Sequence, residues 1–168
     1  MGIIKGSRII YLYRILKDAA TDNATAIAFT TENSRSKSRD SDTVTTKDGA
    51  IRVPGEVETE ISATALYAGE NDEMIGKIEA ALDNGDKVEV WEVNLDKPGT
   101  GENSSKFAAK YFHGYVTSFE LTSSSEDYAE ASLDFGLEGA GKDGYATVTD
   151  EQQEIAAYQF KDTVKSGA

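Results

Sequence analysis

Apolar and polar residues alternate along most of the chain with a period of two, the spacing that places side chains on opposite faces of a β-strand. The alternation is clearest in residues 128–137, where the odd-numbered positions from Ala129 onward are apolar. Alternation and composition predict further strands at residues 9–15, 25–29, 50–53, 57–66, 87–95 and 107–122. We therefore predict a mainly β protein with antiparallel strands, because half-exposed alternating strands are typical of antiparallel sheets.

Two connections can be predicted from these segments. Residues 9–15 are β-branched and aromatic, and a turn-rich stretch leads from them to residues 25–29, which we expect to be their hairpin partner. Residues 107–122 form a segment far longer than a typical strand of about five or six residues. We therefore expect a bend or bulge in it near Gly114.

One segment has the period of a helix instead. The apolar positions of residues 72–82 recur at helical spacing and form a single stripe, made of Met74, Ile75, Ile78 and Leu82. Asn84 and Gly85 follow and end the helix. We expect the stripe to pack on the sheet, so the predicted fold is an antiparallel β-sandwich or barrel with one flanking α-helix.

Some parts of the chain are predicted to lie outside the sheet. Residues 30–48 alternate serine with charged side chains and contain little that is apolar, which is typical of a long exposed loop that orders on meeting a partner. The glycine-rich residues 139–144 are expected to be flexible. We predict one domain, residues 1–150 with the extended loop at 30–48, followed by a C-terminal arm at 151–168.

The formal net charge of -13 makes this a strongly acidic chain. Such a charge repels nucleic acid, so a protein that reads a nucleic-acid sequence is disfavoured, whereas a conduit through which DNA passes would benefit from the repulsion. The absence of cysteine excludes disulfides, thiolate metal sites and a cysteine nucleophile. No run of about 20 apolar residues occurs, so we expect a protein kept in a cytoplasm and not in a membrane.

The sequence offers little catalytic chemistry. His113 is the only histidine and lies in a predicted strand without a serine elbow or a nucleophilic partner, which favours a structural role. Glu56, Glu58 and Glu60 share one strand face, but such carboxylates are roughly 7 Å apart and lack the loop geometry of a calcium site. A solvated or pore-facing wall is favoured instead. We predict no catalytic residue, no metal site and no cofactor.

A basic cluster interrupts the acidic composition. Arg35, Lys37 and Arg39 lie together in the predicted loop, beside Asp40. The cluster can be a solvated loop surface, a contact with nucleic acid or a contact with an acidic face of another subunit. The net charge favours protein over DNA as the partner.

The order of these elements resembles the major tail protein family of long-tailed, non-contractile phages that infect Gram-positive bacteria, of the lactococcal-phage type. The resemblance spans nearly the whole chain. It rests on residues 3–15, the Pro54-Gly55-Glu56 step, the helix followed by residues 88–93, and residues 114–118 and 158–163. It implies a β-sandwich or barrel with a flanking helix, the fold shared by tail tube proteins and the tube protein of type VI secretion.

The resemblance also implies a function. Members are structural virion proteins, not enzymes, and assemble into hexameric rings that stack into a tail tube around a tape-measure protein, with distal tail and tail terminator proteins as further partners. The genome passes through the lumen without specific binding. Such a protein is synthesised and assembled in the host cytoplasm and becomes part of the virion tail, without contacting a membrane.

The family pattern suggests which residues meet other subunits. It assigns the loop and the chain ends to contacts between rings or neighbours, with the candidates Arg35, Lys37, Arg39, Asp40, Tyr158 and Phe160. Deletion of residues 34–41 is then expected to leave a soluble subunit that cannot stack. The acidic candidates for the lumen are Glu56, Glu58, Glu60 and Glu89, and a register slip of one residue would reverse each assignment.

A second class of function stays open from the residues themselves. A monomeric β-sandwich that binds a ligand, such as a carbohydrate or an adhesion partner, would also be mainly β and free of catalytic motifs. It would be a compact monomer with an aromatic or calcium-dependent site. Sheet packing is the favoured role of the aromatic residues that could form a platform, which are Tyr11, Tyr13, Trp91, Phe112, Tyr115 and Phe119.

Overall fold

The computed structural model describes residues 2–148, and the predicted C-terminal arm at 151–168 lies outside this range. The described residues form seven strands and one α-helix: β1 (Ile9–Ile15), β2 (Thr30–Thr46), β3 (Gly49–Leu66), α1 (Asp72–Asn84), β4 (Lys87–Pro98), β5 (Lys106–Thr122), β6 (Glu130–Glu138) and β7 (Lys142–Thr147). The strands belong to one antiparallel sheet in the order β1-β4-β5-β6-β3-β2, with β7 paired to β5. The prediction of a mainly β, antiparallel fold with one helix is confirmed.

The sheet folds over at β5, because that strand changes partners along its length. Residues 109–115 of β5 pair with β4, whereas residues 114–122 pair with β6. The register shifts between Val116 and Ser118, close to the bend predicted at Gly114. A Cβ at position 114 would lie 2.2 Å from the Gly136 carbonyl oxygen, so only glycine permits the close approach of these strands.

The fold at β5 produces two layers with the core between them. The first layer contains β1, β4 and the start of β5, and the second contains the end of β5 with β6, β3 and β2. The Tyr13 ring of β1 stacks on the Phe135 ring of β6, with 5.3 Å between the ring centroids. The sheet has two ends, β1 and β2, that do not pair with each other, so the described chain is sandwich-like and not a closed barrel.

The helix packs on the core as its apolar stripe requires. Ile75 and Ile78 are buried in the main core, and Met74 and Leu82 pack against it. The helix extends two residues beyond the predicted end and stops at Gly85, whose left-handed φ of 72° suits glycine. The sequence pattern thus located this element closely.

The segment predicted as a loop is the clearest correction. Residues 30–48 are not a loop but β2 with its turn, and β2 pairs with β3 from Thr30↔Ala65 to Thr46↔Gly49. The short strand predicted at 50–53 is the beginning of β3, which continues through Pro54. Proline is tolerated there because this part of the hairpin has only β2 beside it.

Two smaller predictions also need correction. Residues 25–29 do not form a hairpin with β1, since only a single bridge joins Tyr13 to Thr25, and the sheet partner of β1 is β4. Residues 139–144 are not uniformly flexible, because β7 begins at Lys142 and pairs with β5. In both cases the true partner is distant in sequence, and local alternation carries no information about it.

Candidate functional site

One face of the second layer is polar and open to solvent. Cross-strand pairs align Ser36 with Glu60 and Ser38 with Glu58 on this face, and the face continues across β6 and β5. We call it the polar face, and its members are Ser34, Ser36, Ser38, Glu58, Glu60, Ser62, Ser118, Glu120, Ser132, Asp134 and Glu138. The opposite face of the same strands carries core residues such as Ile61 and Phe135. Because side chains alternate along a strand, this layer carries acidic residues on one face and core residues on the other.

The four acidic candidates do not lie together. Glu58 and Glu60 belong to the polar face. Glu56 is exposed and lies beside a β-bulge in β3, at the base of the projecting hairpin. Glu89 is not on this face, because it lies in β4 of the other layer and is only 5 % exposed.

Two side chains of the subunit donate hydrogen bonds to the Glu89 carboxylate. The Arg14 Nε donates to one carboxylate oxygen at 2.8 Å, and the Tyr111 hydroxyl donates to the other at 2.5 Å. Burial, aided by the hydrogen bond to Glu89, raises the pKa of Tyr111 to about 12. Arg14 also lies over the Trp91 ring, 5.0 Å from its centroid. Glu89 is therefore part of a buried network that joins β1, β4 and β5, and within the subunit it does not lie on the polar face.

The basic cluster is largely engaged inside the subunit. The Arg35 Nε donates to Glu92 at 2.6 Å, and the hydrogen bond raises the pKa of the arginine. The Lys37 Nζ donates to the Ala140 carbonyl at 2.9 Å. Arg39 and Asp40 are exposed. Arg35 thus joins β2 to β4 of the other layer and is paired within the subunit, whereas Arg39 and Asp40 remain candidates.

The β2–β3 hairpin extends beyond the rest of the sheet. β6 pairs with β3 only from Glu58 to Leu66, so residues 41–54 have no strand beside them other than each other. We call residues 41–54 the arm. Its cross-strand pair Val44 and Ile51, with Val53 on the same face, forms an exposed apolar patch. Tyr158 and Phe160, the other contact candidates, lie outside the described residues.

Two parts of this arrangement were not predicted from the sequence. The serines of the polar face were read as loop composition, although their period of two, at Ser34, Ser36 and Ser38, was a strand signal. The apolar patch of the arm was also missed, because residues 30–48 contain little that is apolar and were predicted to be a loop. Pairing of β2 with β3 places Val44 beside Ile51, so the two side chains form one apolar surface.

The described residues contain no group of three or more His, Asp and Glu side chains arranged to hold a metal ion. His113 lies 3.3 Å from the Glu138 carboxylate, which also pairs with Lys87 at 3.1 Å. Among residues 2–148, no helix has the length and apolar character needed to cross a membrane. The histidine belongs to a surface charge cluster without a nucleophile in it.

Comparison with known proteins gives a consistent result. The family model described as phage tail tube protein matches residues 3–143. The chain is 34% identical over 150 residues to a tail protein of Staphylococcus phage phiMR25, covering 87% of this chain and 77% of that protein. It is 30% identical over 142 residues to a tail tube protein of Bacillus phage SPP1, covering 84% of this chain and 52% of the relative. The aligned part thus spans about half of the SPP1 protein.

Solved structures agree in fold. The SPP1 tail tube structure superimposes with a TM-score of 0.69 and 24% identity, covering 99% of this chain and 95% of that one. The tail of an empty gene transfer agent particle, refined with C6 symmetry, superimposes with a TM-score of 0.57 and 15% identity, covering 88% of this chain and 100% of that one. At these identities the likeness concerns the fold.

Proposed function

The chain belongs to the phage tail tube protein family, and from this premise we propose that its copies close into hexameric rings that stack into the tube of a phage tail. The family is one of structural tail proteins and not of enzymes. C6 symmetry in the gene transfer agent tail supports six subunits in a ring. The genome would pass through the tube at infection.

One observation carries this proposal: within residues 2–148, the layer with the polar face has two edges that pair with no other strand. β2 is one edge, and on the other side residues 118–122 of β5 extend beyond the last residue that pairs with β4, Tyr115. A free edge presents unpaired backbone groups that another strand can satisfy. The β2 edge of one subunit would pair with the β5 edge of the next, so that copies of this layer join into one closed sheet around a bore.

The polar face would line that bore. Its opposite side is covered by the core and α1, so only this side of the layer can meet a water-filled channel. Glu58, Glu60, Glu120 and Asp134 would give the wall a negative charge, which repels the DNA phosphates and prevents adhesion. The bore would thus pass DNA without binding it specifically. A tape-measure protein would fill the same bore during assembly.

The remaining assignments extend the same proposal. Arg39, Asp40 and the arm would contact the adjacent ring, and the segment 151–168, with Tyr158 and Phe160, would contact neighbouring subunits. Distal tail and tail terminator proteins would meet the two ends of the tube. Synthesis and assembly would take place in the host cytoplasm.

The alternative of a ligand-binding module has no comparable support. Tyr13 is buried against Phe135, and Trp91 lies between Tyr111 and Arg14. These rings are used in packing and do not form an exposed platform. Tyr13 and Trp91 therefore do not favour carbohydrate recognition.

Electron microscopy of the purified chain, over a range of concentration and salt, tests the proposal. We expect rings or tubes with a central channel. A chain that stays monomeric by light scattering, both alone and when coexpressed with the tape-measure protein of the same tail, would contradict it. A compact monomer of that kind would support the ligand-binding module instead.

Exchange of Glu58 and Glu60 for lysine tests the bore. We expect tubes of Glu58→Lys/Glu60→Lys to retain a short single-stranded oligonucleotide added during assembly and to shield it from nuclease, because phosphate binding by lysine releases counterions. Retention should fall as salt rises. Nuclease-resistant label in sedimented tubes measures it.

The matched control is Glu79→Lys/Asp83→Lys. It changes the net charge equally at two exposed positions of α1. These tubes should leave the oligonucleotide open to the nuclease. Equal protection by the two double variants would show that Glu58 and Glu60 do not line the bore.

A further inference from the structure

β2 is an edge strand that contributes no buried side chain to the core. It pairs with β3 on one side and with no described strand on the other. None of its residues is buried, although the β3 residues opposite its first half belong to the core. Its serines and charged residues have little strand propensity. Hydrophobic burial therefore does little to fix the place of this edge.

Polar side chains occupy the inward positions of β2. Asn33, Arg35 and Lys37 lie opposite buried residues of β3. Directly opposite residues of paired strands point to the same side of a sheet, so these three side chains are directed toward the first layer. They lie in the regular part of the pairing, between register shifts that follow Thr30 and Arg39. We call Asn33, Arg35 and Lys37 the anchors.

Two anchors connect the ends of this stretch to different elements. The Asn33 Nδ2 donates to the Tyr13 hydroxyl of β1 at 3.2 Å. The Lys37 Nζ donates to the Ala140 carbonyl, between β6 and β7, at 2.9 Å. The edge strand is thus tied at two places to parts of the subunit with which its backbone does not pair.

Arg35, the central anchor, meets a carboxylate that is itself held in place. The Arg35 Nε donates to one oxygen of Glu92 in β4 at 2.6 Å, and the Tyr11 hydroxyl donates to the same oxygen at 2.7 Å. Burial, together with the hydrogen bond to Glu92, raises the pKa of Tyr11, so this hydroxyl stays a donor. The side chains of Arg35 and Glu92 are only 28% and 17% exposed. Water therefore screens this ion pair less than a fully exposed one.

The bonds of two anchors cross a groove between the ends of the sheet. The groove separates β1 from the first part of β2, and its lining includes Tyr11, Tyr13, Asn33, Arg35 and Glu92. β1 and β2 do not pair with each other. Side-chain bonds, and not backbone pairing, therefore join β2 to the first layer across this groove.

From these contacts, and resting on the tube proposed above, we infer that the anchors are positioning residues for ring closure, which hold the β2 edge where the β5 edge of the next subunit pairs with it. A segment that is ordered in advance loses less conformational entropy on binding. Inward-directed charges on an edge strand also disfavour pairing with arbitrary strands. The anchors would thus favour the correct neighbour and disfavour others.

Hydrogen–deuterium exchange of the free subunit tests whether Arg35 holds β2. In Arg35→Glu, two carboxylates would face each other, so the amides of residues 32–39 that bond to β3 should exchange at least about tenfold faster. Exchange in α1 and β6 should stay unchanged. Equal exchange of β2 in the variant and the natural chain would overturn the inference. An increase that extends to α1 and β6 would assign Arg35 to general stability and would overturn it as well.

The critical concentration for tubes measures the effect on ring closure. It should rise at least about tenfold for Arg35→Glu, because a charge-assisted hydrogen bond is lost and the edge must be ordered during pairing. It should return toward the natural value in Arg35→Glu/Glu92→Arg, which exchanges the two charges. Sedimentation over a concentration series gives both values. No rise in the single variant, or no recovery in the double variant, would overturn the inference and leave the tube proposal standing.

A mixture of two single variants separates a bond within the subunit from one between subunits. In an equimolar mixture of Arg35→Glu and Glu92→Arg subunits, every subunit keeps like charges at its own pair. The mixture should therefore assemble as poorly as each variant alone. If the pair formed between neighbouring copies, alternating subunits would supply opposite charges and assembly would recover. Such a recovery would overturn the inference.

The matched control is Lys97→Glu, which changes the net charge equally at an exposed position of β4. Its β2 exchange and its critical concentration should equal those of the natural chain. If Arg35→Glu fails to fold, Arg35→Met replaces it, since methionine keeps an apolar side chain and removes only the donors and the charge. Natural exchange of β2 in Arg35→Met would overturn the inference. Absence of tubes from the natural chain would overturn the tube proposal and the inference together.

Discussion

Removal of residues 41–54, with Asp40 joined to Gly55 through a short turn, is expected to abolish tubes and leave the subunit folded. The hydrogen bonds of the arm are internal, such as those between Thr46 and Gly49 and between Arg52 and Ser41. The free energy of unfolding should therefore change by less than about 1 kcal/mol. Electron microscopy and urea unfolding measure the two effects separately.

The arm-deleted subunit should also act on the natural chain. It keeps the strand edges that would pair within a ring but offers no arm to the adjacent ring, so rings that contain it should stack poorly. Mean tube length should fall as its fraction in a mixture rises. Tubes of normal length from the deleted chain alone, or mixtures with unchanged lengths, would contradict the role of the arm.

The hairpin explains why the deletion must start at residue 41. Residues 34–39 of β2 pair with β3 inside the sheet, and Arg35 reaches Glu92 in the other layer. Deletion of residues 34–41, which the loop prediction suggested, would remove an edge strand of the polar face. Loss of tubes from that deletion would reflect a damaged subunit and would say little about stacking.

Replacement of Arg14 by leucine is expected to lower the free energy of unfolding by about 3–5 kcal/mol. The Glu89 side chain is 6% exposed, and Arg14 provides its cation at 2.8 Å. Without the arginine, a buried carboxylate would keep only the Tyr111 hydroxyl as a donor. Trp91 is the single tryptophan and lies beside Arg14, so its fluorescence can be used to follow unfolding in urea.

Two variants separate this mechanism from a general effect of losing charge. Arg14→Leu/Glu89→Leu should recover much of the lost stability, since an apolar pair can replace a buried ion pair at little net cost. Lys17→Leu removes an exposed partner of Asp86 and should lower the free energy of unfolding far less, because water screens an exposed ion pair. An Arg14→Leu variant that costs no more than Lys17→Leu would show that Glu89 does not depend on its arginine.

The local patterns of the sequence were sufficient for several elements. β1 occupies the predicted residues, and α1 and β6 lie within two residues of theirs. In α1 and β6 one face enters the core, so the burial pattern has a period of 3.6 or of two, whereas β1 was predicted from its β-branched and aromatic composition and is buried at Tyr11, Leu12 and Tyr13 in succession. Family resemblance, strand alternation and acidic charge together were enough to predict the fold class and a structural tail role.

In β4, the local pattern did not predict which residues are buried, because both faces of the strand are covered. Val88, Glu89 and Val90 are consecutive and all buried, because the core lies on one side of β4 and the Arg14–Tyr111 network on the other. A glutamate in such a strand is indistinguishable by sequence from one that faces solvent. Only the neighbouring strands show which donors meet it.

The sequence by itself determined the strands and helix that contact the core, the absence of cysteine chemistry and the acidic character of the surface. The serines and charged side chains of residues 30–46 carry little strand propensity. The tertiary structure decided that these residues form a strand, because they pair with β3. It also decided which glutamates form the polar face and which one is buried. Strand pairing over long sequence distances sets these outcomes, and no local pattern encodes it.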